Sequence, residues 1–160
     1  MPLEMNRAAH VRVPSLARLS GGRSPTSFGR RKPTNVVRAG PSPSDIKRDG
    51  LEDPRMSQIV IHNGVAYFSG QVGASSDTVK EQTIETLAKC DALLERAGTT
   101  KDRLLTCMVW LKDIKDAPEF NEVYNAWIDG ENKPTRACVQ AEMARPNLLV
   151  EVQITAAMPP

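Results

Sequence analysis

Two short runs near the C-terminus carry side chains with chemistry to offer. In 134–140 (PTRACVQ) Arg136, Cys138 and Gln140 alternate with Ala137, Val139 and then Ala141. In 149–155 (LVEVQIT) Glu151, Gln153 and Thr155 alternate with Val150, Val152 and Ile154. Alternation with a period of two predicts a half-buried strand in each case, with one apolar and one polar face. A guanidinium, a thiol, a carboxylate and amides on the polar faces form either an ordinary solvated surface or the wall of a site.

Other chemistries are poorly supplied. Cys90, Cys107 and Cys138 are odd in number and widely spaced, with no CxxC pair and no His/Cys cluster. Neither a disulfide framework nor a zinc site is expected. The two histidines are His10 and His62, and His62 stands beside a turn signal. Ser-His or Cys-His catalysis would rest on that one residue, and it needs a base within hydrogen-bond reach of the nucleophile. No metal or other cofactor is expected.

The elements that must position these residues follow from composition and periodicity. A chain of 160 residues, 40% hydrophobic and 25% charged, suits one globular domain with a real core. No apolar run approaches the roughly 18 to 20 residues of a membrane span. Charge is divided unevenly: residues 1–44 hold eight basic side chains and one acid, net +7, which leaves −5 for residues 45–160 out of the overall +2. The first segment is rich in Arg, Ser, Pro and Gly, lacks a secretory apolar stretch, and has the composition of an organelle transit peptide. Val37-Arg38-Ala39 resembles a plastid processing site, so a plastid stroma location is expected, with the mitochondrial matrix and a disordered basic arm as alternatives. The domain organisation expected is therefore a transit or basic segment, 1–44, and one folded domain, 45–160.

Residues 41–54 read as linker and lead-in. Strands are predicted over 57–62 and 65–69, joined by Asn63-Gly64, the dipeptide of a type I′ hairpin turn. Gly70 and Gly73 then allow the backbone to approach something closely. Thr78 with Glu81 fits a capping box, and a helix to Ala97 places Thr83, Leu87, Cys90, Leu94 and Ala97 on one face before Gly98 stops it. Leu104–Leu111 is nearly continuously apolar and is expected to be a central strand covered on both faces, with Cys107 structural. A second helix begins near Ala117-Pro118 and buries Phe120, Val123, Tyr124, Trp127 and Ile128. The order is ββαβαββ, with two hairpin-like strand pairs around a central strand. Two helices on one face of a mixed sheet make this an α+β layer fold. The polar set of Arg136, Cys138, Gln140, Glu151, Gln153 and Thr155 would then lie together on the bare face.

From about Pro54 to Met158 the chain resembles the RidA/YjgF family of reactive-intermediate deaminases. Ser57-Gln58 stands twelve residues before Ser69-Gly70-Gln71, as in the family's Ser-Gln and Ser-Gly-Gln blocks. Val109–Asp113 (VWLKD) is similar to its central-strand ending, and Phe120–Tyr124 (FNEVY) resembles its F-x-x-[VM]-N-x-x-[YW] helix. Pro134–Val139 matches P-x-R-x-x-V, with Glu151 fifteen residues on from Arg136. The resemblance implies a chorismate-mutase-like fold, a homotrimer with sites between subunits, and hydrolysis of 2-imino acids to 2-oxo acids and ammonia. It implies that Arg136 grips the substrate carboxylate through a two-pronged guanidinium bond and that Glu151 holds the attacking water. It further implies that Cys138 lines the pocket, Gly70 offers backbone close to the ligand, and Asn121 shapes the cleft. Met56 stands where archetypal members have tyrosine, and Val72-Gly73-Ala74 replaces their usual Ile-Pro loop, as in a subgroup of small bacterial members. Both departures touch segments that line the family's pocket, so they bear on substrate size. Two other functions are open: a ligand-sensing trimer without turnover, and the ribonuclease or translation-inhibitor activity of some members. The net −5 of residues 45–160 speaks against a nucleic-acid partner, because phosphate binding depends on Lys and Arg.

Overall fold

A computed structural model of the chain describes residues 45–160, so the expectation of a transit segment over 1–44 lies outside the described residues. The chain runs β1 (Lys47–Asp49), β2 (Ile59–His62), β3 (Val65–Phe68), β4 (Gln71–Val72), α1 (Val79–Ala97), β5 (Leu104–Leu111), α2 (Ala117–Trp127), β6 (Thr135–Gln140) and β7 (Val150–Ala157). The local signals act as expected. Asn63 and Gly64 take φ of 49° and 74° between β2 and β3. Thr78 caps α1 by accepting from the Glu81 backbone N–H, and Gly98 ends it in the left-handed region. Pro118 lies in the first turn of α2, where a missing N–H costs little.

Two strands were not expected. β1 forms inside the supposed linker as an exposed edge strand paired with β2, without any apolar alternation. It is held from outside: Arg96 on α1 donates from Nε and Nη2 to the two carboxylate oxygens of Asp49, each at 2.7 Å. That ion pair, joined by the Gly50 N–H, holds the Asp49 carboxyl below its ordinary range. β4 is only two residues long and continues the line of β3 along β7 after a break at Ser69-Gly70.

The sheet order is β1-β2-β3-β7-β5-β6, with β4 also on β7, and only β5 and β6 are parallel. The last two strands are therefore not a hairpin-like pair. β5 lies between them, antiparallel to β7 and parallel to β6. The crossovers β4-α1-β5 and β5-α2-β6 step across the sheet in the same direction. Parallel crossovers share a right-handed sense, so both helices land on one face. The core forms there from Phe68, Cys107, Val109, Val152 and Ile154 against Leu87, Cys90 and Leu94 of α1 and Phe120 of α2. Cys90 and Cys107 are both fully buried in it, as small core residues.

The opposite face is open within the chain. β5 is not covered on both sides: Cys107, Val109 and Leu111 are buried under the helices, while Met108 and Trp110 on the other face are half-buried. Tyr67 and Val139 share the open face and remain 49% and 41% exposed. None of the described helices is long and apolar enough to cross a membrane.

Candidate active site

The register divides the candidate residues between the two faces of the sheet. Arg136 pairs with Cys107 and Cys138 with Val109, so both point to the helix side. Glu151 pairs with Trp110 and points to the open side, along with Gln153 and Thr155. Directly paired residues share a face of the sheet. The expectation that Arg136, Cys138 and Gln140 join Glu151 on the bare face is overturned. It is Ala137 and Val139 that face the open side. β6 is an edge strand whose alternation is weak on both faces, and its pairing with β5 rather than its own hydropathy sets which way Arg136 points. With β5 between them, β6 and β7 lie roughly 10 Å apart, and Arg136 and Glu151 leave the sheet in opposite directions.

The half-site on the open face is built by the two Ser-Gln blocks. Ser69 Oγ donates to Gln58 Oε1 at 2.6 Å, and Gln71 Nε2 donates to Ser69 Oγ at 2.9 Å. The Ser69 N–H also reaches the Gln58 carbonyl at 3.0 Å. These bonds hold the break between β3 and β4 in a fixed shape, with Gly70 at its centre. A Cβ on Gly70 would overlap Glu151 Oε1, so the glycine exists to let the backbone meet that carboxylate. Glu151 is half-buried, and its carboxylate takes part in no hydrogen bond or ion pair found among the described residues. Beside it lies a shallow depression of ≈ 300 Å³ walled by Met56, Tyr67, Gly70 and Gln153, with Met56 44% exposed at its rim.

The other half-site lies at the sheet edge, against α2. The Arg136 guanidinium carbon sits over two rings, 4.6 Å from the centroid of Tyr124 and 5.2 Å from that of Phe120. A guanidinium over aromatic faces gains from their quadrupoles while its N–H edge stays free. Arg136 is exposed and takes part in no ion pair or side-chain hydrogen bond found among the described residues. Beneath it, the Tyr124 hydroxyl and the Cys107 thiol are neighbours. Burial pushes the Cys107 thiol up to about 11, and burial likewise pushes the Tyr124 phenol above its ordinary range. Both stay neutral near pH 7, so the floor under Arg136 offers no compensating negative charge. Cys138 is half-buried next to this floor and packs against the core.

Asn121 is the residue of α2 expected to shape the cleft. In the helix pattern F-x-x-[VM]-N-x-x-[YW], Phe120 and Val123 put the asparagine position on Tyr124, not on Asn121. Asn121 is half-buried on α2, and among the described residues its Oδ1 has no hydrogen-bond partner and no hydrogen bond links it to Arg136. Tyr124 and Phe120, which sequence reasoning assigned only to the core, are thus the residues that lie under Arg136, and for Tyr124 the register of that pattern is the signal that could have found it. Two larger depressions, ≈ 620 Å³ around Trp127 and Asp91 and ≈ 790 Å³ around Lys112 and Arg145, are lined by neither Arg136 nor Glu151. Among the described residues no group of three or more His, Cys, Asp or Glu side chains is arranged to hold a metal ion.

This fold and these paired blocks define a class. Residues 52–158 match the family model described as Endoribonuclease L-PSP. A RutC family protein of Haemophilus influenzae is 39% identical over 108 residues, covering 66% of this chain and 93% of the relative. The RutC family protein YoaB of Escherichia coli K12 is 36% identical over 106 residues, covering 66% and 93%. The crystal structure of a YjgF-family protein from Neisseria meningitidis superimposes with a TM-score of 0.70 at 39% identity, over 72% of this chain and 97% of that one. The chain belongs to the RidA/YjgF family, which includes the RutC proteins.

Proposed function

We propose that the protein hydrolyses 2-imino acids of the 2-iminopropanoate and 2-iminobutanoate type to 2-oxo acids and ammonia. One observation carries the reading: among the described residues Arg136 presents a guanidinium without an anionic partner, and Glu151 presents a carboxylate without a cationic one, on opposite faces of the same sheet. Each is the half that the other lacks. A homotrimer that sets the open face of one subunit against the β6 edge of the next joins them in one cleft, with Gly70 and Met56 on one wall and Cys138 on the other. That arrangement agrees with the exposed apolar side chains Tyr67 and Val139 on the open face, which an assembly would cover.

The chemistry follows from the charges. Arg136 takes the substrate carboxylate in two parallel hydrogen bonds and fixes its plane. The protonated imine carbon is electrophilic, and water held by Glu151 attacks it as the carboxylate removes a proton. A C–O bond forms and the C=N electron pair moves to nitrogen, giving a carbinolamine. Glu151 returns the proton to that nitrogen, the C–N bond breaks with loss of ammonia, and the hydroxyl proton is released as the carbonyl forms.

Imine generated by an amino-acid oxidase, with its disappearance timed in the presence of the purified protein, tests the activity. Loss faster than in buffer, abolished in Arg136→Ala, is expected; no acceleration, or full activity in that variant, overturns it. Mixing refolded Arg136→Ala and Glu151→Gln subunits tests the assembly. Sites shared between subunits regain roughly a quarter of native activity by random mixing, whereas sites within one subunit regain none. Carboxylate binding without turnover would instead indicate a sensor. RNA cleavage that persists through further purification would indicate the activity in the family model's name, which the −5 charge of residues 45–160 does not favour. For location, the composition of residues 1–44 supports the plastid stroma, and a fluorescent fusion of that segment seen in mitochondria would reverse the assignment.

A further inference from the structure

The position that the family's helix pattern gives to asparagine is Tyr124 here, and its ring is the nearer of the two beneath Arg136. We infer that Tyr124 is a positioning residue, holding the Arg136 guanidinium in one plane so that only its N–H edge is offered to a carboxylate. The inference rests on the reading of Arg136 as the carboxylate-binding group.

Three restraints keep the ring from turning. It stacks on Phe120 with centroids 5.7 Å apart and an interplanar angle of 23°, and it meets Trp127 at 5.8 Å. Its hydroxyl end lies against the Cys107 sulfur in the core. Tyr124 is only 6% exposed, so the ring cannot swing out to solvent. Arg136, by contrast, stands on an edge strand with no hydrogen-bonding side-chain partner among the described residues, and four side-chain torsions would otherwise leave it free. Ordering that side chain before the ligand arrives removes a cost that binding would have to meet. A cation held over an aromatic face at an exposed position gains roughly 0.5 to 1 kcal/mol, which is about a 2- to 5-fold change in affinity. The ring face supplies this gain, and the hydroxyl is not needed for it. Phenylalanine should therefore substitute and an aliphatic residue should not.

The test compares the native protein with Tyr124→Phe and Tyr124→Leu in two assays: calorimetric binding of 2-oxobutanoate, a stable 2-oxo acid, and imine turnover. Tyr124→Leu is expected to weaken binding and raise KM by about 2- to 5-fold, with kcat changed less than KM, and Tyr124→Phe to stay close to native. Unchanged binding in Tyr124→Leu overturns the inference, as does a Phe variant as weak as the Leu variant. Proton NMR of the unmodified protein gives a reading that no folding defect can obscure. The Arg136 δ-methylene is expected upfield by ring current, and a random-coil shift overturns the inference. If the native protein binds 2-oxobutanoate through Arg136 but turns over no imine, the deaminase reading fails while the Leu and Phe comparison still decides the role of Tyr124.

Discussion

Replacing Gly70 with alanine isolates the contact between the β3–β4 break and Glu151. The new Cβ would overlap Glu151 Oε1, with the carboxyl carbon 3.1 Å away. What must move is the far end of a flexible side chain, so the fold loses little: an off-rotamer glutamate costs about 0.5 to 1.5 kcal/mol. The displaced atom is the proposed base, however, and a misplacement of roughly 1 Å is enough to cost about 10²-fold in rate. The expected signature is a kcat for imine hydrolysis down about 100-fold with a thermal midpoint within a few degrees of native. Gly73→Ala is the control three residues away. Its Cβ would lie 2.5 Å from the Gln82 carbonyl oxygen and 2.9 Å from the Gln82 Cα, on the backbone of α1, which cannot step aside. Overpacking against backbone costs about 1 to 3 kcal/mol, so this variant should lose stability first. Calorimetry and the coupled-oxidase assay on both variants check the pair. Native kcat in Gly70→Ala would refute the placement of Glu151 at the reacting centre.

Gln82 is fully buried and ties two loops to α1: its Nε2 donates to the Ser76 and Asn147 carbonyls at 2.7 and 2.8 Å, and its Oε1 accepts from the Leu149 N–H at 2.8 Å. Gln82→Leu orphans all three, and a loss of about 3 kcal/mol, or on the order of 10 °C in Tm, is expected in a denaturation experiment. Glu85 pairs with Lys89 and accepts from the Ser75 hydroxyl and from the Ser75 and Ala74 N–H groups, which lowers its pKa from 4.5 to about 2. A depressed carboxyl stabilises above its ordinary range, and the contribution is lost as pH falls from about 4.5 towards about 2. Hydrogen exchange at Ala74 and Ser75 should therefore quicken, relative to the intrinsic rate, over that window, and Glu85→Gln should remove the dependence. Arg136→Lys keeps the charge but not the fork, so KM for the imine should rise roughly tenfold or more while the fold is unaffected.

The helices were legible because their signals are local. Thr78 and Gly98 bracket α1, and the spacing of Phe120, Tyr124 and Trp127 places a buried face on α2 whatever surrounds it. The Asn63-Gly64 turn was legible for the same reason, since its positive φ angles are a property of those two residues. β1 was not, because it owes its place to Arg96, forty-seven residues further along the chain. The candidate residues themselves were also readable: an arginine and a glutamate at a family spacing stand out without any structure.

Which way they point was not. Alternation within a strand says that neighbours face opposite sides, but it does not say which side meets the helices. On β7 the valines and Ile154 decide, because burying them outweighs everything else. On β6, Ala137 and Val139 have too little apolar surface to decide, and the parallel pairing with β5 turns Arg136 onto the aromatic floor of α2. The sequence by itself determined the helices, the longer strands, the family and the charged pair, since these follow from local backbone preference and residue identity. Only the tertiary structure decided that the pair is divided between two faces of one sheet, because facing is set by long-range strand pairing and by what each face can bury.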